Sequence, residues 1–329
     1  MNLARAARWA MVKAGLALLK TSGSYKSYFG EWRGRPFDAA ERMGLHVMPA
    51  HYYSPVPTVS RLDAAVFRDR NEITGIDLNV PKAVDFVKEL ARDFGAEYAK
   101  FEKSPGPDRR RYHLANTGFG AGDAEGYYGM LRRFKPRRVI EIGCGNSSLA
   151  AALALAKNRE EGAPDCKYTC IEPYLPDYLR PLPDPAMEVI ERGVEALPLE
   201  MFESLGDGDF LFIDSTHVAA FGSDCVYEYL EILPRLKPGV IVHIHDIFFP
   251  RDYPRDWIVA KRYFWNEQYL LQAFLLHNSD YEVVLPLHAL YALRRDDLIA
   301  AIPSIAVAKA PPASFWMRKK DRLAPDFRR

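Results

Sequence analysis

The stretch Val139-Ile-Glu-Ile-Gly-Cys-Gly-Asn-Ser-Ser148, with Ile171-Glu172-Pro173 beyond it, decides the fold class. An apolar run ends in a Gly-x-Gly turn and passes at once into a helix-forming run, Leu149-Ala-Ala-Ala-Leu-Ala-Leu-Ala156. A second short run then ends in a carboxylate 27 residues after Gly145. This is the order of a nucleotide-binding β-α-β unit. Glycines let the backbone turn tightly and approach a ligand closely. A carboxylate at the second strand end can accept hydrogen bonds from both hydroxyls of a ribose.

Outward from this unit the alternation continues. Strand-like runs fall at Val139–Gly143, Lys167–Glu172, Met187–Val194, Phe210–Asp214, Val240–His245 and Tyr281–Leu287, with a last one at Ala313–Arg318. Helical runs intervene at Ser147–Lys157, Pro198–Leu205, Asp224–Leu236 and Asn266–His277. Nearly continuous apolar strands separated by helices predict an α/β fold, a parallel sheet covered on both faces. Upstream the alternation is lost. The segment His51-Tyr-Tyr-Ser-Pro-Val-Pro57 is expected to be extended, because a residue before proline disfavours helix. Helices are expected from Pro81 to Phe94 and from Asp123 to Phe134. The organisation read from this is an N-terminal helical and loop extension over 1–122, a nucleotide-binding domain over 123–319 and a basic tail over 320–329.

The bulk composition narrows the function classes. The chain has 329 residues, 48% hydrophobic and 26% charged, ordinary values for a soluble globular protein. A net charge of +1 argues against a broad nucleic-acid-binding face. Cys144, Cys166, Cys170 and Cys225 form no C-x-x-C pair, and free thiols fit a reducing cytoplasm. No apolar run approaches the ~18–20 residues of a membrane span. Residues 1–20 are basic with no acidic residue, and Lys13 interrupts their apolar part, which argues against a secretory signal. They read either as a docking helix or as a weak peripheral attachment to an anionic membrane surface.

Which nucleotide is the next question. A dinucleotide site wants G-x-G-x-x-G, and Ser148 stands where the third glycine belongs. Glu141, two residues before Gly143, and Glu172 at the next strand end complete a different pattern. With them the chain resembles the class I S-adenosylmethionine-dependent methyltransferases, whose first motif is E/D-x-G-x-G and whose second strand ends in an acid. The resemblance covers roughly residues 123–318. It implies a Rossmann-like, seven-stranded, doubly wound sheet with an antiparallel last strand. It also implies S-adenosyl-L-methionine as cofactor, lined by Glu141, Gly143, Gly145, Asn146, Ser147 and Asp214, with Glu172 on the ribose.

Two more strand ends carry polar residues, Asp214-Ser-Thr-His217 and His243-Ile-His245-Asp246. Ligands bind at the carboxyl ends of strands in a parallel α/β sheet, so Asp214, His217, His245 and Asp246 are expected at one mouth. His243 lies two residues back and is expected in the core. Asp-x-x-His resembles the metal-dependent O-methyltransferases acting on sugars and small molecules. That resemblance implies Asp214 as a metal ligand and His217 as general base. His245 and Asp246 stand where the pattern has an acidic pair, as further catalytic or metal-binding candidates. A divalent metal with an imidazole ligand would be a transition metal rather than Mg²⁺, or no metal is bound. A hydroxyl acceptor needs a base, and a histidine of near-neutral pKa is suited to that. The aromatics Phe248, Phe249, Tyr253, Trp257, Phe264 and Trp265 read either as a stacking surface for a planar or sugar substrate or as a packed lid or subunit interface of a homo-oligomer.

The expected function is therefore S-adenosylmethionine-dependent O-methylation of a small-molecule or saccharide acceptor. The alternatives are an NAD(P)-dependent oxidoreductase and a non-catalytic nucleotide-binding module. Nucleic-acid methylation lacks a basic, aromatic-interleaved groove in this sequence.

Overall fold

The computed structural model describes residues 3–21, 35–67 and 69–321. The basic tail expected over 320–329 lies outside them beyond Asp321. Among the described residues, no helix is long and apolar enough to cross a membrane. The chain divides into two compact units: one of residues up to Val66 with Arg255–Phe264, the other of Phe67–Pro254 and the chain from Trp265 onward.

The first unit carries helices α1 (Leu3–Thr21) and α2 (Arg35–Glu41) and short turns. It has scarcely any core of its own. Ala40 is its one fully buried hydrophobic residue among those described.

The second unit is a seven-stranded sheet between two helical layers. Its strands are β1 (Arg138–Ile142), β2 (Lys167–Ile171), β3 (Met187–Ile190), β4 (Phe210–Ile213), β5 (Ile241–Ile244), β6 (Tyr281–Pro286) and β7 (Phe315–Lys319). Their order is β3-β2-β1-β4-β5-β7-β6. The first five run parallel, and β7 inserts between β5 and β6, antiparallel to both. The expected antiparallel last strand is present. The order reverses between β1 and β4, the topological switch point at which open α/β sheets bind ligands.

Strand periodicity explains the two layers. Val139, Tyr168, Cys170, Phe210 and Phe212 face one side, and Ile140, Ile142, Ile171, Leu211 and Ile213 face the other. The first side is covered by α3 (Val80–Tyr98), α4 (Asp123–Phe134), α5 (Asn146–Glu160), α10 (Leu287–Leu293) and α11 (Arg295–Ala301). The second is covered by α6 (Leu199–Glu203), by the helix α7 (Asp224–Tyr227) that runs through a π-type turn, Glu228–Ile232, into α8 (Leu233–Arg235), and by α9 (Glu267–Leu275).

Residues 67–122, expected in the N-terminal extension, fall within the second unit. The reason is α3, whose Val84, Val87 and Leu90 enter the core beside α4, while Lys88 pairs with Asp297 of α11 at 2.6 Å. Two other elements depart from expectation. Strand β3 stops at Ile190 rather than Val194, where the amide of Arg192 turns back to the Ile190 carbonyl. Helices α10 and α11 were not anticipated, because short apolar runs are ambiguous between strand and helix.

Candidate active site

The turn after β1 is built from the inside out. Glu141 is fully buried, and its carboxylate accepts hydrogen bonds from Ser147 Oγ at 2.5 Å, Ser148 Oγ at 2.6 Å and Tyr168 OH at 2.7 Å. Burial pushes its carboxyl up to about 7 against the pull of those three hydroxyls. Ser148 also accepts the Gly145 amide at 3.2 Å. The residue in place of a third glycine thus bridges the turn backbone to the buried acid. Glu141 and Ser147, expected to line a cofactor, are instead inside the protein and shape the turn. Gly143, Gly145 and Asn146 are the half-buried members.

Gly143 has a left-handed φ of 83°. A Cβ there would run into the backbone carbonyl of Asp214. Only glycine lets the end of β1 lie against the end of β4 at the switch point. Glu172 follows β2 at the same edge, half-buried, with Oε1 accepting the Tyr174 amide at 2.8 Å.

The structure brings Asp214, His217, His245 and Asp246 together, as expected. His217 Nε2 lies 3.2 Å from Asp214 Oδ1 and 3.7 Å from Asp246 Oδ2. His245 Nδ1 lies 3.6 Å from Asp214 Oδ1 and 3.7 Å from Asp246 Oδ2. His217 and Asp246 both adopt left-handed backbone, φ 62° and 57°. Strained backbone of this kind clusters at functional sites.

Each imidazole is backed by a second carboxylate. Glu267, at the start of α9, holds His217 Nδ1 at 2.7 Å and in turn accepts Tyr229 OH at 3.0 Å. The amides of Asn266 and Glu267 donate to the His217 carbonyl at 3.0 and 3.2 Å. Asp123, at the start of α4, lies 3.6 Å from His245 Nε2, and its other oxygen accepts the amides of Ala313 and Ser314. Trp265 lies against His217 with ring centroids 4.3 Å apart. The sequence assigns no role to Asp123, and none to Glu267 within Trp265-Asn-Glu-Gln-Tyr269. Glu267 is a lone carboxylate in an apolar helix, and that was its signal. Asp123 looked like the ordinary acid of a helix first turn.

Electrostatics sets the resting charges. Burial alone would lower both imidazoles, but hydrogen bonds and charge from Asp214 and Glu267 hold His217 well above 6.5. Asp246, Asp214 and Asp123 do the same for His245. The near-neutral histidine expected from sequence is corrected here, because three carboxylates face His217. Burial raises Asp246 to about 6 despite both imidazoles. Burial also works to raise Asp214, but His245 and His217 outweigh it and hold Asp214 below the usual carboxylate range.

The ligand atoms of Asp214, His217 and Asp246 lie within 4.8 Å of one another, close enough to share a cation. The set expected from sequence was Asp214, His245 and Asp246. Both imidazoles in fact approach the same two carboxylates. His243 is the core residue its register predicts, stacked on Phe212 at 4.0 Å with both ring nitrogens unbonded and held neutral by burial. Of the aromatics after β5, Phe248, Phe249 and Tyr253 are buried, and Gln268 ties them down by accepting the Phe248 amide and donating its own amide to Tyr253 OH.

Comparison with known proteins bears on this arrangement. A family model described as a methyltransferase domain matches residues 140–247, from β1 to the residue after Asp246. An uncharacterized protein of Archaeoglobus fulgidus is 31% identical over 184 residues, 53% of this chain and 79% of its own length. Among solved structures, one described as the apo-structure of CmcI-N160 is 15% identical, covers 70% of this chain and 84% of its own, and has a TM-score of 0.39. Another, the MycE methyltransferase of the mycinamycin biosynthetic pathway in complex with Mg, SAH and mycinamycin VI, is 14% identical over 50% of this chain and 38% of its own, with a TM-score of 0.29. The matched domain spans the acid-and-glycine turn at the switch point and both polar strand ends of a sheet ordered β3-β2-β1-β4-β5-β7-β6. Residues 140–247, about a third of the chain, carry a methyltransferase domain, set in a seven-stranded sheet with its ligand-binding switch point between β1 and β4.

Proposed function

We propose that this protein methylates a hydroxyl of a small molecule or saccharide, with His217 as the general base. The observation that carries the reading is the Glu267–His217 pair. Nδ1 is committed to Glu267 at 2.7 Å, so the proton-accepting atom is Nε2, directed toward the strand ends where Asp214 lies.

The cofactor supplies an electrophilic methyl group and its own leaving group. The turn suits such a ligand: Gly143 lets the ends of β1 and β4 meet at the switch point, Gly145 and Asn146 stand half-buried at the helix start, and Glu172 offers a carboxylate for the ribose. The remaining work falls to acceptor positioning and proton removal. In its neutral form His217 accepts the hydroxyl proton at Nε2, and Glu267 and Asp214 stabilise the resulting imidazolium; because they hold the ring well above 6.5, that neutral form is populated only as pH rises. Trp265, beside the ring, offers an apolar surface against which a sugar or planar acceptor can stack. Asp246 and His245 complete the wall of the same mouth.

Should a divalent ion bind, Asp214 and Asp246 with an imidazole are its donors. Such an ion would lower the pKa of the acceptor hydroxyl, and the mixed oxygen–nitrogen set favours a transition metal over Mg²⁺. Ser148 in place of the third glycine of a dinucleotide site argues against an oxidoreductase reading. Ser148 holds both the Gly145 amide and Glu141, and a glycine would lose both bonds.

His217→Ala tests the proposal. S-adenosylhomocysteine binding by calorimetry should stay unchanged, while methyl transfer to acceptors in a cell extract should fall by ~10²-fold or more. Turnover at the parent rate across pH would rule out His217 as the base.

A further inference from the structure

We propose that helix α1 lies on an anionic lipid surface, presenting to it a face that combines basic side chains with Trp9. Three observations carry this. The first is segregation of charge. Residues 1–66 hold nine Lys and Arg against four Asp and Glu, while the remaining chain holds 35 against 39. The net charge of +1 therefore conceals a segment of +5 joined to a body of −4. Residues 1–30 contain no acidic residue at all. Such asymmetry marks contact with a polyanion or an anionic membrane.

The second observation is unburied apolar surface on the same helix. Trp9 is 55% exposed, Met11 66%, Val12 48% and Leu16 58%. The unit they belong to buries only Ala40 among its described hydrophobic residues, so it has no core of its own to receive them. The third is their placement. Arg5, Arg8, Trp9, Val12, Lys13 and Leu16 recur at three- and four-residue spacing and share one side of the helix. Lys13 Nζ sits 5.6 Å from the Trp9 ring centroid.

The occupant follows from the mixture. A nucleic acid would satisfy the charges but leave Trp9, Val12 and Leu16 against phosphates. A second copy of the same face would bring like charges together. A bilayer with anionic headgroups satisfies both sets of residues. Arg and Lys reach up to phosphates while their stems lie along apolar surface, and Trp9 seats at the headgroup level. The helix, about 28 Å long at 1.5 Å per residue, lies on the surface rather than crossing it, since its charges are spread along its length.

The test is co-sedimentation of the full chain with vesicles of mixed phosphatidylglycerol and phosphatidylcholine, against vesicles of phosphatidylcholine alone. Binding should be confined to the anionic vesicles and should weaken at least tenfold between about 50 and about 500 mM salt as screening increases. The triple variant Arg5→Glu, Arg8→Glu, Lys13→Glu should lose binding by a similar factor, with an unchanged melting temperature because all three sites are exposed. If the triple reversal disturbs folding, the same three positions changed to Gln provide the comparison. Equal binding to both vesicle types, or full binding by the variants, would overturn the proposal. So would a concentration-dependent dimer, formed without vesicles and abolished by Trp9→Ser, which would assign the face to a second copy.

Discussion

Glu267 Oε2 lies 2.7 Å from His217 Nδ1, across a sequence separation of 50 residues. The pair joins the end of β4 to the first turn of α9, and the same turn caps the His217 carbonyl with two amides. Position and protonation of the imidazole are therefore set together. Glu267→Gln keeps the shape and removes the charge. Methyl transfer should fall about a hundredfold with cofactor affinity unchanged. The pH profile separates this from a packing defect. A base held well above 6.5 gives a rate that rises with pH along a limb above 6.5. Loss of the Glu267 charge should move that limb to lower pH, and an unmoved limb would show that Glu267 does not tune His217.

Gly143→Ala should destabilise the protein by roughly 2–4 kcal/mol and abolish cofactor binding. The φ of 83° disfavours any side chain, and the new Cβ would meet the Asp214 carbonyl. Denaturant unfolding reads the first effect and calorimetry the second. A neutral outcome would mean that β1 and β4 do not meet as closely as described.

Glu172→Ala addresses the ribose. The carboxylate stands half-buried just beyond β2, at the carboxyl end of the parallel strands. Cofactor affinity should drop at least about tenfold, or 1.4 kcal/mol, without loss of stability. Unchanged affinity would remove Glu172 from the site.

Glu141 gives a pH signature of its own. Burial raises its folded carboxyl from 4.5 to about 7. A raised acid favours the folded state below its unfolded pKa, and that contribution is lost as pH rises from about 4.5 through 7. The amount is about 3 kcal/mol for a shift of this size. Glu141→Gln should remove this slope from the stability curve between those limits. A slope that survives would have to come from another group.

The sequence by itself determined the parallel core, the glycine turn after its first strand and the strand ends that carry the polar cluster. These are local properties: apolar runs of strand length, glycines at a forced turn, and polar residues immediately after each run. Asp214, His217, His245 and Asp246 were legible because strand register places consecutive strand ends at one edge. Only the tertiary structure decided what those residues do to one another. Glu141 has the motif position of a cofactor residue, but burial under Ser147, Ser148 and Tyr168 makes it a support for the turn. Glu267 and Asp123 come from helices 50 residues after His217 and 122 residues before His245, and each meets its imidazole only when α9 and α4 pack against opposite faces of the sheet. A carboxylate in a helix has no periodic signal for its partner, since the pairing is fixed by packing and not by spacing. The same is true of the charge state of His217, which depends on three carboxylates that only the folded chain brings within reach.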